Sequence, residues 1–315
     1  MNKEKEFYRE LREARHCERS EAKKIEIMKL GFIGLGTLGT PIAENLLNNT
    51  KQLYVYNRTA SKAQALVEKG AVLCASVKNL AAACDIVFSI VSDDAALKQI
   101  TTGEEGIAAN LKAGGIHFSI STILPATATE LSALHKEHNN SYLATPVMGR
   151  PETARAGKMN FLVSGEKQLI EKAKPLLQQA GAAAIWEFGD DVAAANTAKL
   201  CSNFLIVAAI EAMAEGIQLA EKSNIDASQW MNMMMQTLFN APVYINYGNI
   251  LLKKAYQPAG FSLRLGLKDV NLVLAQAAAV DANMPLGETV HRQLMDSVEK
   301  GLGEYDWTAV ALALK

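Results

Sequence analysis

Residues 29–47 read KLGFIGLGTLGTPIAENLL. A short run, Leu30–Ile33, leads into glycines at 34, 36 and 39, and an apolar-periodic stretch follows. The order predicts strand, glycine-rich turn and helix, the context that gives Gly-x-Gly-x-x-Gly its meaning. Gly34 permits the tight turn, Gly36 lets the backbone approach a pyrophosphate, and Gly39 allows close helix–strand packing. The free N–H groups of the helix N-terminus offer the phosphates donors. Gly34, Leu35, Gly36, Thr37, Leu38 and Gly39 are therefore the expected phosphate contacts. A glycine-rich turn with no ligand is the plainer alternative, and the strand–turn–helix context puts dinucleotide binding ahead of it.

The end of the second predicted strand bears on which dinucleotide. An NAD site places Asp or Glu about 20 residues past the turn to hold the ribose 2′-OH. Tyr56-Asn57-Arg58-Thr59 stand there instead. With no carboxylate to repel a 2′-phosphate, Arg58 can fork onto it, and Thr59 and Lys62 add donors. NADP(H) is favoured over NAD(H), with Asn57, Arg58 and Thr59 as contacts; Val91 and Ser92, ending the fourth strand pattern and beyond, complete the set. A solvated surface arginine is the competing reading of Arg58.

From Lys29 to about Phe188, β-branched runs alternate with helical stretches. Expected strands are 30–33, 53–56, 72–74, 86–91, 116–120 and 142–143; expected helices are 40–47, 61–68, 95–100 and 126–137. Such alternation predicts a parallel sheet covered on both faces. Phe161–Val163 and Ala184–Trp186 are expected to extend that sheet. After Asp190 the pattern is helical throughout, beginning with one long helix from Val192 to Lys222 and broken at Pro242, Pro258 and Pro285. The expected organisation is a charged arm at 1–27, a Rossmann-type α/β domain at 28–189 and an all-α domain at 190–315, joined by the long helix. The arm holds eight Lys/Arg and seven Glu in 27 residues, a composition expected to stay solvated or disordered. Met28 directly precedes the first strand, so a start at Met28 with the arm as an upstream extension is one expectation; a real but plain charged arm is the other.

Composition excludes several classes. The 315 residues hold 32 Lys/Arg against 33 Asp/Glu, for a net charge of -1, which argues against nucleic acid as partner. Four scattered cysteines form no CxxC pair, which argues against a zinc ribbon or disulfide scaffold. The helical middle has an uninterrupted apolar run of seven residues, Phe204–Ile210, against the roughly 20 a membrane span needs. No apolar h-region opens the chain, so a cytoplasmic protein with no membrane partner is expected.

Between Val192 and Met213 only Lys199 and Glu211 are charged among 22 residues. Asn196, Lys199 and Asn203 share one helical face. A lysine on so apolar a helix is partly desolvated, which lowers its pKa toward the range useful for proton transfer. A polar stripe facing water is the alternative, and the flanking residues are too apolar for it.

Together these segments resemble the β-hydroxyacid dehydrogenase family, which includes 3-hydroxyisobutyrate dehydrogenase, tartronate semialdehyde reductase and glyoxylate/succinic semialdehyde reductase. The likeness runs from about Met28 to the C-terminus. The family's opening GFIGLGxMG is GFIGLGTLG here, and its Ser-Thr after the fifth strand is Ser121-Thr122. Its substrate loop corresponds to ATPVMGRPETARAGKM, residues 144–159, and its Lys-x-x-Asn-Asn helix to Lys199-Leu-Cys-Ser-Asn203. Lys268-Asp269 and Asp306–Val310 match its C-terminal signatures. The resemblance implies Lys199 as general acid/base, Ser121, Gly149 and Asn203 as substrate contacts, Ser121 near the nicotinamide as well, and Lys268 reaching toward the cofactor. It also implies a homodimer or homotetramer through the helical domain, with the active site between domains. Departures fall in the substrate loop: Met148 replaces a serine, Arg150 a glycine and Ala144 an aspartate, and Ser202 replaces the first asparagine of the pair. Arg150 is expected either to bind a substrate carboxylate or to be a surface arginine.

The implied reaction is hydride transfer between NADP(H) and a small β-hydroxy acid or semialdehyde. Reduction of an imine or of an uncharged ketone or aldehyde is the alternative; Lys199 counts against an imine and Met148 in favour. A non-catalytic NADPH-binding module is the alternative from another class. No metal site is expected: His135 and His138 read as surface residues of one helix. Asp190-Asp191 are expected to cap the long helix, Cys201 to lie in the core, and the methionines at 231, 233, 234 and 235 to be core or subunit interface.

Overall fold

The computed structural model describes residues 28–314; the charged segment 1–27 and its expected disorder lie outside them. Strands β1 (Leu30–Ile33), β2 (Tyr54–Tyr56), β3 (Val72–Leu73), β4 (Ile86–Ser89), β5 (Ile116–Ser119) and β6 (Ser141–Ala144) form one sheet in the order β3-β2-β1-β4-β5-β6. Every pairing in it is parallel. β1, β4 and β5 are buried along their whole length, as parallel strands covered on both faces are. Phe32, Phe88 and Phe118 stand side by side in one cross-strand row. Their rings stack or meet edge to face at 6.2 and 4.8 Å between centroids.

The helices between these strands are α1 (Gly39–Thr50), α2 (Gln64–Val67), α3 (Val77–Ala83), α4 (Asp94–Thr101), α5 (Ile107–Asn110) and α6 (Pro125–Glu137). Ser76 and Asp93 cap α3 and α4 by accepting from the amides of Asn79 and Ala96, which satisfies orphan donors of the first turn. From β1 the chain proceeds to one side of the sheet, and from β4 to the other. The crevice at the carboxyl ends of β1 and β4 is therefore the switch point at which such sheets bind ligands. The glycine turn sits there.

The expected extension of the main sheet is not found. Val147–Met148 (β7), Met159–Val163 (β8) and Ala182–Glu187 (β9) form a second sheet in the order β7-β8-β9. Pro146 has no N–H with which to continue the ladder beyond β6. The chain runs on into β7 and turns back through a short helix, so that β7 pairs antiparallel with β8, while β9 pairs parallel with it. An isolated bridge from Ala144 to Ser164 links the two sheets. Helices α7 (Pro151–Arg155) and α8 (Lys167–Gln179) complete this region.

His135 is likewise not a surface residue. It is fully buried while His138 is exposed. Its Nδ1 lies 2.6 Å from Asn140 Oδ1, its Nε2 lies 3.0 Å from His117 Nδ1, and His117 Nε2 lies 2.7 Å from Ser89 Oγ. The Asn140 amide donates to the carbonyls of Ala108 and Leu111, so Oδ1 must accept. The proton order follows: His135 donates to Asn140, His117 to His135, and Ser89 to His117. Burial depresses both imidazoles, His117 well below the ordinary range and His135 to about 4.

The remainder is helical: α9 (Ala194–Lys222), α10 (Ala227–Gln236), α11 (Pro242–Lys253), α12 (Leu263–Ala279), α13 (Pro285–Ser297) and a final 3₁₀ turn, Trp307–Leu312. Pro242 and Pro285 begin helices rather than break them, since proline at the first helical position gives up an N–H that would be unpaired anyway. By length and composition α9 is apolar enough to cross a membrane, with a mean hydropathy of 1.6 over 18 residues, half of that window buried inside the protein. The burial comes from its packing against the other helices: Val207, Ile210, Met213 and Ile217 share a core with Met231, Tyr247, Val270 and Leu294. Met231 and Met235 belong to that core, whereas Met233 is exposed. Two local expectations are corrected. Cys201 is exposed, because it lies on the side of α9 opposite the buried face. Asp191 reaches only the amide of Ala193, just ahead of the helix, while the Ala195 amide donates to Ser164 Oγ from the second sheet at 2.9 Å.

Candidate active site

Gly34 has a φ of +99°, and a Cβ there would sit 1.9 Å from the Ile90 carbonyl oxygen. A Cβ on Gly39 would lie 2.0 Å from the Gly34 oxygen, whereas one on Gly36 would meet no atom within 4 Å. Packing thus dictates glycine at 34 and 39, and Gly36 faces open space. α1 starts there with no side-chain cap and no acidic residue in its first turn, leaving its amides free for an anion. This cradle fits the pyrophosphate of a nicotinamide dinucleotide.

Asn57 braces the turn: its Oδ1 accepts from the Leu35 amide at 2.8 Å, and its Nδ2 donates to the Thr59 carbonyl at 2.9 Å. Arg58 and Thr59 are exposed at the end of β2. Lys62 borders a hollow of about 350 Å³ with Leu35, Gly36, Thr37 and Arg155. The sequence reading missed Arg155, which arrives through a tertiary contact. Asn45 of α1 donates to the Ala154 carbonyl at 2.8 Å and so docks α7 beside the turn.

A larger cleft of about 970 Å³ runs from Gly36–Gly39 past Ile90–Ser92 and Met148–Arg150 to Lys199, Asn203 and Lys268. Ser121 lies buried behind it, accepting from the Val91 amide at 2.8 Å, which leaves its hydroxyl proton free to donate. The Ser92 hydroxyl donates to Asp93 at 2.8 Å. Gly149 has a φ of +146°, and a Cβ there would lie 2.6 Å from Met159 Sδ.

Asn196, Lys199 and Asn203 are all buried, so their shared face of α9 does not meet water. Lys199 Nζ lies 3.3 Å from Met148 Sδ, a weak acceptor that does little to replace water around an ammonium. Burial lowers the Lys199 pKa to about 8, with Lys268 adding to the fall and Asp269 opposing it. Asn203 Nδ2 donates to Asp269 Oδ2 at 2.6 Å. Lys268 lies 2.6 Å from Asp269 Oδ1 and donates to the Thr122 carbonyl at 2.9 Å. Arg150 Nη2 meets Asp306 Oδ2 at 2.9 Å, with the guanidinium 5.3 Å from the Tyr247 ring centre. Asp269 and Asp306 entered the sequence reading only as parts of motifs. Their partners in space, Asn203 and Arg150, are far away in the chain.

The comparisons agree with this architecture. Residues 29–189 match the NAD binding domain of 6-phosphogluconate dehydrogenase, and residues 193–314 match the NAD-binding family of NADP-dependent 3-hydroxyisobutyrate dehydrogenase. The chain is 39% identical over 288 residues to the uncharacterized oxidoreductase YfjR of Bacillus subtilis, covering 91% of this chain and 100% of that protein. It is 31% identical over 290 residues to glyoxylate/succinic semialdehyde reductase 2, chloroplastic, of Arabidopsis thaliana, covering 91% and 80% of the two chains. The crystal structure of a 3-hydroxyisobutyrate dehydrogenase from Salmonella typhimurium superposes with a TM-score of 0.82 at 25% identity, covering 90% of this chain and 99% of that one. A nicotinamide-dependent oxidoreductase is the class that fold and matches define. The chain belongs to the β-hydroxyacid dehydrogenase family.

Proposed function

We propose that this protein interconverts a small carbonyl compound and its alcohol with NADP(H), using Lys199 as general acid and base. The observation that carries the reading is Lys199 itself: a buried lysine with its pKa brought down to about 8, on the cleft wall that the glycine turn also borders. Gly34–Gly39 would hold the pyrophosphate. Arg58, Thr59 and Lys62, with no carboxylate at the end of β2, favour a 2′-phosphate and hence NADP(H) over NAD(H). Val91, Ser92, Ser121 and Lys268 would flank the nicotinamide, and Ser121, Gly149 and Asn203 the substrate. The bound nicotinamide supplies the hydride for reduction and takes it up in oxidation.

In reduction, the carbonyl carbon gains the hydride, its C=O π bond breaks, and Lys199 passes one proton from Nζ to the oxygen. Water then reprotonates the amine. In oxidation Lys199 takes the hydroxyl proton. Asn203, fixed by Asp269, keeps its own carbonyl oxygen free toward the cleft. The family's acidic semialdehydes and uncharged aldehydes or ketones share this chemistry. The domain division at 189/190 and assembly as a homodimer or homotetramer through the helical part belong to the same reading.

The test is oxidation of NADPH and NADH by the purified protein over a series of short aldehydes. Lys199→Ala is expected to abolish turnover while leaving NADPH binding, read by its fluorescence, intact. Turnover retained in the variant refutes the assignment.

A further inference from the structure

The charged side chains bordering the main cleft are Arg150, Lys199, Lys268, Asp269 and Glu304. Among the described residues all but Lys199 have a partner of opposite charge. The Arg150 partner, Asp306, is 1% exposed. Its Oδ2 accepts from Arg150 Nη2 at 2.9 Å and from the Gly260 and Phe261 amides at 3.1 and 3.3 Å. Its Oδ1 accepts from the Thr308 amide and hydroxyl at 3.2 and 2.9 Å. Lys268 is tied to Asp269 at 2.6 Å, and Glu304 to Arg264 at 3.0 Å on the rim. Among the described residues Lys199 is the cation left over, and proton transfer at the reacting oxygen already occupies it.

The rest of the lining is uncharged, with Asn203, Asn246 and Tyr247 among its neutral polar groups. Ile206, Pro242, Val243, Phe261 and Trp307 border the cleft from the helical part. Met148 stands beside Lys199 at 3.3 Å and offers a thioether, which donates nothing. A carboxylate on the substrate would lose its water without gaining a free cation. Arg150 Nη2 is committed to Asp306 and its Nη1 is buried without a partner, so bringing the guanidinium to a ligand would draw it off a buried aspartate, the costly way to break a buried pair.

Resting on the hydride-transfer reading above, we infer that the substrate's end remote from the reacting carbon is uncharged and apolar: a short alkyl or aryl aldehyde or ketone rather than a semialdehyde acid. Arg150 then acts as a specificity-determining strut. It fixes the loop at Met148–Arg150 against Asp306 and withholds its charge from the ligand.

The experiment compares kcat/KM for matched substrates at saturating NADPH: 4-oxobutanoate, its methyl ester and pentanal, each with chain-length homologues. The wild type and Lys199→Ala are run in parallel. The ester and alkanal are expected to exceed the acid by at least about tenfold, the discrimination expected of a site that lacks a free counter-charge. Met148→Ser, which puts a hydroxyl donor beside Lys199 in place of the thioether, is expected to narrow that ratio. A wild-type ratio of one or less, with turnover lost in Lys199→Ala, overturns the inference and leaves the hydride-transfer reading standing. Turnover that survives Lys199→Ala, or none across the whole series, overturns that reading and the inference with it.

Discussion

Lys199→Met separates the stability of the fold from the chemistry of the site. Lys199 is 9% exposed and its pKa is lowered from 10.5 to about 8, chiefly by burial. At about 1.4 kcal/mol per pKa unit, the folded protein bears a cost of roughly 3 kcal/mol for the ammonium. Below pH 8 both folded and unfolded chains are protonated, and the full cost is present. Between pH 8 and 10.5 the folded chain releases its proton first, so stability rises with pH through that window. Methionine keeps most of the length and carries no charge. Lys199→Met is therefore expected to raise the unfolding free energy at pH 7 by about 1–3 kcal/mol, with the gain shrinking toward pH 10. Activity is expected to fall by about 10²–10⁴-fold. Urea titrations at pH 7 and 10 read the first effect. Wild-type pH profiles read the second: kcat/KM for reduction falls above pH about 8, and for oxidation it rises to a plateau there. A variant less stable than wild type at pH 7, or an inflection left near 10.5, refutes the reasoning.

The glycines separate packing from ligand approach. Gly34→Ala, with its Cβ 1.9 Å from a carbonyl oxygen, is expected to unfold the turn and lower Tm sharply. Gly36→Ala meets open space and is expected to keep Tm but weaken NADPH binding in a fluorescence titration. Arg58→Ala is expected to weaken NADPH by about 10–100-fold, the worth of a charge-assisted hydrogen bond, and to leave NADH unchanged; equal losses for both would remove Arg58 from the 2′-phosphate. The buried histidines make the protein acid-sensitive. With His135 at about 4 against an ordinary 6.5, the unfolded chain protonates first, so stability falls as pH drops from about 6.5 toward 4. A urea midpoint that stays flat from pH 7 to 4.5 would contradict this.

The parts of the fold legible in the sequence are those fixed by neighbours along the chain. Leu30–Gly39 encodes strand, turn and helix start within ten residues, and the structure places all three where periodicity and glycine spacing put them. The apolar stretch around Lys199 likewise announces a buried helix. The errors share one physical origin. Phe161–Val163 has the composition of any buried strand, and only its pairing with β7 and β9 decides which sheet receives it. His135 has charged neighbours in sequence, Lys136 and Glu137, yet the helix turns its ring toward His117 and Asn140. Exposure there depends on what lies across the interface.

The same holds at the site, where burial of one side chain is easier to read along the chain than the pairing of its neighbours. Lys199 has its proton affinity set largely by burial, which the apolarity of its own helix foreshadows. The proposed preference for an uncharged substrate rests on which cations remain free, and that depends on pairs remote in sequence: Arg150 with Asp306 and Lys268 with the Thr122 carbonyl. An arginine at 150 looks like a carboxylate ligand when read along the loop. Placed against a buried aspartate that already collects backbone amides, it becomes a strut. A substitution at Asp306 therefore reaches the substrate pocket without facing it. Asp306→Asn removes the counter-charge while keeping a hydrogen-bonding carbonyl oxygen, and releases the Arg150 charge toward the cleft. The acid-to-ester ratio of kcat/KM is expected to rise in that variant, and an unchanged ratio would show that Arg150 has no influence on the bound substrate.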